Sequence, residues 1–182
     1  MIKMGVEFRG ADRLMSKIRA IPKVMEDAVF EATFDIVDET VARATSHLQS
    51  SIKYGSGELS GSPKQEVVID GKGKIIGRVW SDKMEALFRE FGTGPVGAES
   101  PKDLPPGVNP VYSTERWFIP VHKTSVDLEM VYGIPRVTIK GQDFFMTRGQ
   151  PARPWLYPSM KEVVEMAEDI YKDRVKEGLR KL

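Results

Sequence analysis

The side chains that could do chemistry are few and scattered. The chain has two histidines, His47 and His122, and neither has a second one three to five residues away, the spacing that puts two metal ligands on one face. It contains no cysteine, which removes disulfides, thiolate metal sites and thiol nucleophiles together. Ser56, Ser60, Ser62 and Ser81 carry hydroxyls, yet no Gly-x-Ser-x-Gly elbow sets one between a strand and a helix. Asp70-Gly71-Lys72-Gly73-Lys74 looks like a phosphate loop, but it lacks the upstream glycine and the Ser or Thr after the lysine. It reads instead as a turn with solubilising lysines. Glu66, Asp70 and Glu90 are the carboxylates that could converge in three dimensions around magnesium. Nothing in their spacing brings them together.

Charge is equally uninformative about a polyanionic partner. Lys and Arg number 27, Asp and Glu 26, for a net charge of +1. Such a balance exerts no long-range pull on nucleic acid or anionic membrane. Arg148, Arg153, Lys72, Lys74 and Lys83 are dispersed among acids. Trp117, Phe118, Phe144, Phe145 and Trp155 therefore read as core or interface anchors rather than as platforms for stacked bases. Residues 1–9 carry charges every few positions and lack the apolar run of a signal peptide. No stretch approaches the roughly 20 apolar residues of a membrane helix. The expectation is a soluble cytoplasmic protein with no cofactor, no metal, no specific nucleic acid and no membrane partner.

The elements that must position these residues follow from periodicity. With 41% hydrophobic and 29% charged residues, the chain can bury a core. Residues 2–9 alternate as a short strand. Asp12 is placed to cap a short helix bearing Leu14, Met15 and Ile18, which Pro22 should end. Residues 23–53 repeat apolar positions at helical steps, a run of about 45 Å, longer than a small sheet can cover. Part of that face should meet something else. Residues 66–70 and 74–81 form the arms of a hairpin with apolar groups on both faces. Residues 82–91 read as a helix capped by Asp82, with Ala86, Leu87 and Phe91 inward. Residues 95–115 form a Pro/Gly-rich loop that should be mobile until a partner orders it. Residues 116–121, 128–132, 136–140 and 144–147 are strand candidates. Residues 156–182 are an amphipathic helix. The order predicts one α+β domain over residues 1–182, a mainly antiparallel sheet packed against the long helix and the C-terminal helix.

Three clusters are more specific than any of the chemistry above. They are Gly57-Glu58-Leu59-Ser60-Gly61-Ser62; Phe88-Arg89-Glu90-Phe91-Gly92-Thr93-Gly94, after a strand that reads Gly77-Arg78-Val79-Trp80-Ser81; and Ala152-Arg153-Pro154-Trp155-Leu156-Tyr157-Pro158-Ser159-Met160. In this order they resemble the bacteriophage head–tail joining and tail-completion (minor tail component) family, typified by the gene-product-ten protein of phage HK ninety-seven. That family has a Thr-Gly-x-Leu-x-x-Ser turn, a Gly-x-Val strand, a Glu-Phe-Gly-Thr helix end and an Ala-x-Pro-Phe-Leu-x-Pro-Ala helix start. Here Ser56, Trp155 and Ser159 replace the usual Thr, Phe and Ala, and residues 95–150 are longer than many members need.

The resemblance implies a non-enzymatic virion component of a tailed phage or prophage. It implies ring assembly, sixfold in the family, with neighbouring neck or tail proteins as partners. Such a part resides in the host cytoplasm during assembly and then in the virion neck or tail. The residues carried over are structural or interfacial: Gly57, Leu59, Ser62, Gly77, Glu90, Phe91, Gly92, Thr93, Arg153, Pro154, Trp155, Leu156 and Pro158. In local terms, Gly57 permits a turn, Leu59 plugs the sheet edge, and Ser62 serves a free backbone group. Phe91 turns inward, and Thr93 bonds loose helix-end carbonyls. Glu90 is either a solvated helix-end carboxylate or a salt-bridge partner across a subunit boundary, with Arg153 as the candidate cation. The alternatives are a small metal-dependent hydrolase or nuclease built on Glu66, Asp70 and Glu90, and a prophage-encoded protein-binding module.

Overall fold

A computed structural model describes residues 10–50 and 57–182. The fold is α+β. Helix α1 spans Ala11–Ser50, strands β1 and β2 Lys64–Ile69 and Ile75–Trp80, helix α2 Met84–Phe91 and helix α3 Gly94–Glu99. Strand β3 (Trp117–Pro120), helix α4 (Leu128–Tyr132), strands β4 (Arg136–Ile139) and β5 (Gln142–Thr147) and helix α5 (Leu156–Arg180) complete the chain. Contacts divide it into two compact units. The expected strand at 2–9 lies outside the described residues, as does most of the expected helix stop at 54–57.

The first unit comprises Met1–Arg43, Lys64–Trp80 and Met160–Leu182. Here α1 and α5 pack together around small side chains. Ala28, Ala32, Val37 and Val163 are buried, and Gly178 lets the helices close where a Cβ would come within 3.0 Å of the Val24 methyl. Thr33 and Thr40 hide their hydroxyls by donating to the carbonyls of Val29 and Ile36, at 2.8 and 2.7 Å. The Thr33 hydroxyl also meets the Tyr171 phenol at 2.9 Å. Around this seam, Arg174 grips Asp35 through two bonds of 2.6 and 3.0 Å, and Arg43 reaches Glu162 at 2.7 Å. The β1–β2 hairpin is antiparallel, with Val67 opposite Gly77. It lies against α1 at Gly77, where a Cβ would stand 2.5 Å from a Val37 methyl. Both hairpin faces are half-buried, and no hairpin residue is fully buried.

Helix α1 runs through Pro22 rather than ending at it. A proline deletes one backbone N–H and disturbs one turn. Apolar residues continue at helical spacing on both sides, so the helix propagates past that local loss. The expected short helix and long helix are thus one element. Its first turns carry an apolar stripe that the described residues leave open: Leu14 is 59% exposed, Met15 48%, Ile18 48% and Ile21 37%.

The second unit comprises Ala44–Pro63 and Ser81–Ser159. Its sheet is antiparallel in the order β3-β5-β4, with Phe145 paired to Ile119 on one side and Arg136 on the other. Phe145 is fully buried, and the Arg136 guanidinium sits 5.5 Å over its ring. A separate apolar cluster gathers Ala44, Leu48, Ala86 and Trp155, with Leu59 and Leu156 packed on it.

Several expectations change in this unit. Residues 128–132 are a helix, not a strand: Asp127 accepts from the N–H groups of Glu129 and Met130, and Gly133 closes the other end at φ 68°. The stretch 95–115 is not all loop, because Pro95 opens α3. In its remainder Tyr112 donates to the Phe91 carbonyl at 2.9 Å, and the Lys102 ammonium stands 5.0 Å from the Tyr112 ring. Asp82 is not the α2 cap; Lys83 holds that position and its side chain makes no capping bond.

Candidate functional site

The three clusters that carry the resemblance meet in the second unit. Gly57 takes φ 77° and accepts from the Gly61 N–H, forming a tight turn that the Ser60 hydroxyl braces at 2.8 Å. The turn sets Leu59 on the Ala44–Leu48–Ala86–Trp155 cluster rather than on a sheet edge. Ser62 donates to the Leu59 carbonyl at 2.7 Å and meets the Ser81 hydroxyl at 2.8 Å, so it closes its own turn. Gly77 is the one carried-over residue that belongs to the first unit.

Glu90 is the centre of the second and third clusters. It is neither solvated nor paired with Arg153. It is buried at 7% exposure, and its carboxylate accepts three main-chain N–H groups: Trp155 at 2.7 Å, Leu156 at 2.9 Å and Tyr157 at 3.0 Å. These donors lie at the start of α5, where a helix leaves its first N–H groups without internal partners. A carboxylate from α2 therefore caps α5 and meets the positive end of its dipole. Trp155, 3% exposed, donates its indole N–H to the Ala86 carbonyl at 2.9 Å, one turn before Glu90. Ser159 closes the first turn by donating to the Trp155 carbonyl at 2.6 Å. Pro158 sits within this first turn, where its missing N–H costs little.

Next to the cap, the segments around 88–97 and 148–153 run against each other almost without side chains. The Thr93 N–H donates to the Gln150 carbonyl at 2.9 Å, and the Gln150 N–H donates back to the Thr93 hydroxyl at 3.1 Å. Thr93 thus joins the two segments instead of serving helix-end carbonyls. The Arg153 N–H donates to the Arg89 carbonyl at 2.8 Å. Gly92 ends α2 at φ 76°, and a Cβ there would come 2.7 Å from the Ala152 nitrogen and 2.7 Å from Gly97 Cα. Gly149 at φ 106° is tighter still, since its Cβ would overlap the Thr93 carbonyl. Only glycine allows this approach.

Arg89 is the one uncompensated group of this knot. Its Nε and Nη2 are buried without a hydrogen-bond partner. Burial first, then the nearby Arg153, hold its guanidinium below the ordinary arginine value, against a smaller opposing effect of Tyr132.

The opposite face of α2 borders a groove of about 750 Å³, lined by Leu87, Phe88, Phe91, Val108, Val111, Tyr112 and Trp117 with Gly92–Gly94 and Gln150. Leu87 and Phe88 are 52% and 41% exposed, whereas Phe91 is half-buried. Leu87 therefore faces the groove, not the interior as expected. Phe91, also expected inward, lines the groove as well: the buried face of α2 is set by Ala86 and Glu90, one turn apart, and Glu90 is buried only because the start of α5 meets it. The groove's loop wall, at Val108–Ser113, carries no periodic signal.

The three suspected metal-binding carboxylates are each engaged separately, by different partners. Glu66 pairs with Arg78 at 2.7 Å within the hairpin. Asp70 closes the hairpin turn by accepting from the N–H groups of Lys74 and Lys72, which hold it below the usual aspartate range. Glu90 caps α5. Among the described residues no group of three or more His, Cys, Asp or Glu is placed to hold a metal ion, and no helix is long and apolar enough to cross a membrane. Neither His47 nor His122 belongs to the knot or lines the groove. The chain matches no protein-family model, no curated protein and no solved structure.

Proposed function

We propose that this protein is a non-enzymatic structural component of a tailed phage or prophage, acting in head–tail joining or tail completion by assembling into a ring. The observation that carries this reading is the use made of the motif residues. The three clusters resembling that family fold into one knot, in which the Glu90 carboxylate and the Ser60, Ser62, Thr93 and Ser159 hydroxyls bond to the protein's own backbone or to a neighbouring serine, and the Glu58 carboxylate pairs with Lys83. Such groups are spent on architecture. Next to the knot lies an open apolar groove, a feature of surfaces that meet other proteins. A closed ring needs two unlike patches on each copy, and near-zero net charge removes long-range repulsion between copies. The partners are other copies of the chain and the adjoining neck or tail proteins. The protein works in the host cytoplasm during assembly and afterwards in the virion.

The test is deletion of the gene from the phage or inducible prophage that carries it. Electron microscopy should then show heads and tails that fail to join or complete, with joining restored by the purified protein. Normal infectious particles in the absence of the protein would overturn the reading.

A further inference from the structure

The N–H groups of Nε and Nη2 on an arginine point the same way and form a fork that fits the two oxygens of one carboxylate. Arg174 shows this fork in use, since its Nε and Nη2 hold the two Asp35 carboxylate oxygens at 2.6 and 3.0 Å. In Arg89 the same two nitrogens are buried and have no hydrogen-bond partner among the described residues. Glu85, one turn earlier on α2, lies exposed and does not act on the Arg89 charge. The cation that does act on it is Arg153, whose N–H donates to the Arg89 carbonyl at 2.8 Å. The Arg153 side chain is itself exposed and forms no ion pair among the described residues. A buried donor without an acceptor carries its full desolvation penalty, and a like charge alongside adds to it. One incoming carboxylate would relieve both. Beyond this pair the bases are dispersed, so an extended polyanion gains little here.

We infer that Arg89, with Arg153 beside it, is a receptor for a carboxylate. The acid is an Asp or Glu side chain of a second copy or a small free organic acid, and the chemistry of recognition is the same. Both fork nitrogens are closed off from water in this conformation, so the side chain turns its fork outward to take the acid. The bond from Arg153 to the Arg89 carbonyl meanwhile holds the two backbones together. The site goes beyond the proposed ring and does not require it, because a chain that never self-associates still offers the fork to a free acid.

The probe is sodium malonate, titrated into the full chain at constant ionic strength and followed by nuclear magnetic resonance of the arginine Nε–H groups. The signal that disappears in Arg89→Met belongs to Arg89. It should shift saturably with malonate and stay in place with sodium chloride. The apparent affinity should fall at least about threefold in Arg153→Gln, which removes the second charge. In chloride, Arg89→Met should melt at or above the wild-type temperature, because it loses an unpaired buried charge. Malonate should raise the melting temperature of the wild type and not of this variant. Protein concentration separates the two sources. An acid from a second copy would shift the Arg89 signal as the undiluted protein associates, and malonate would reverse the association. A small free acid would leave that signal independent of protein concentration. An Arg89 signal indifferent to both malonate and protein concentration would overturn the inference. So would a clear loss of stability in Arg89→Met, which would make the residue a structural prop. Tighter binding of inorganic phosphate than of malonate would overturn the choice of a carboxylate.

Discussion

The two units are held together by different means. In the first, α1 and α5 meet through small apolar side chains, and the bonds around them join long flexible side chains such as Arg174 to Asp35 and Arg43 to Glu162. In the second, polar side chains bond to main chain and main chain passes against main chain, as at Glu90, Thr93, Gly92 and Gly149. A side-chain seam can adjust when one member changes. A backbone contact cannot, because the peptide has nowhere to move. The second unit should therefore be much less tolerant of substitution, even at positions such as Gly92, Thr93 and Gly149 that carry no large apolar side chain.

The sharpest way to break this contrast is Gly149→Ala. One added methyl would overlap the Thr93 carbonyl at a backbone angle that alanine resists. The expected loss is on the order of 4 kcal/mol or failure to fold, measured by denaturant unfolding. Wild-type-like stability would show that the two segments can separate at little cost. Glu90→Ala comes next. It leaves three buried N–H groups at the start of α5 unanswered and should cost about 2–4 kcal/mol. Glu90→Gln keeps an acceptor but loses the charge facing the dipole, and should cost roughly half as much. Equal losses for the two variants would mean that geometry rather than charge makes the cap. The smallest effect belongs to the first unit. Arg174→Met removes the Asp35 pair but keeps a stem that can cover α1, so the melting temperature should fall only slightly, and less in high salt than in low. A drop as large as that of Glu90→Ala would erase the distinction between the units.

Local pattern revealed the elements better than their roles. The hairpin, β5 and α5 stand near their expected positions, because period-two and period-3.6 patterns are written in consecutive residues. Residues 128–132 show the limit of periodicity: five residues are too few to display a period, and the helix is signalled instead by Asp127 and Gly133 on either side. Glu90 is another matter. Its partners lie 65 to 67 residues downstream, and nothing beside it in the chain reports that a helix start will be delivered to it. The same holds for Gly149, whose need for a bare backbone comes from Thr93. The motif spelling marks Glu90 as special and passes over Gly149, and only the folded chain says what each does.

The distant cap also affects how the protein is made. Residue 90 leaves the ribosome well before residues 155–157 exist. Until they arrive, its carboxylate has no main-chain donors to face and must keep its water, because stripping an unpaired charge is expensive. The nascent chain therefore cannot complete the second unit before the start of α5 is made. That unit closes only once residues 155–157 have been made, and a polypeptide truncated before Trp155 should leave α2 without the helix start that Glu90 caps.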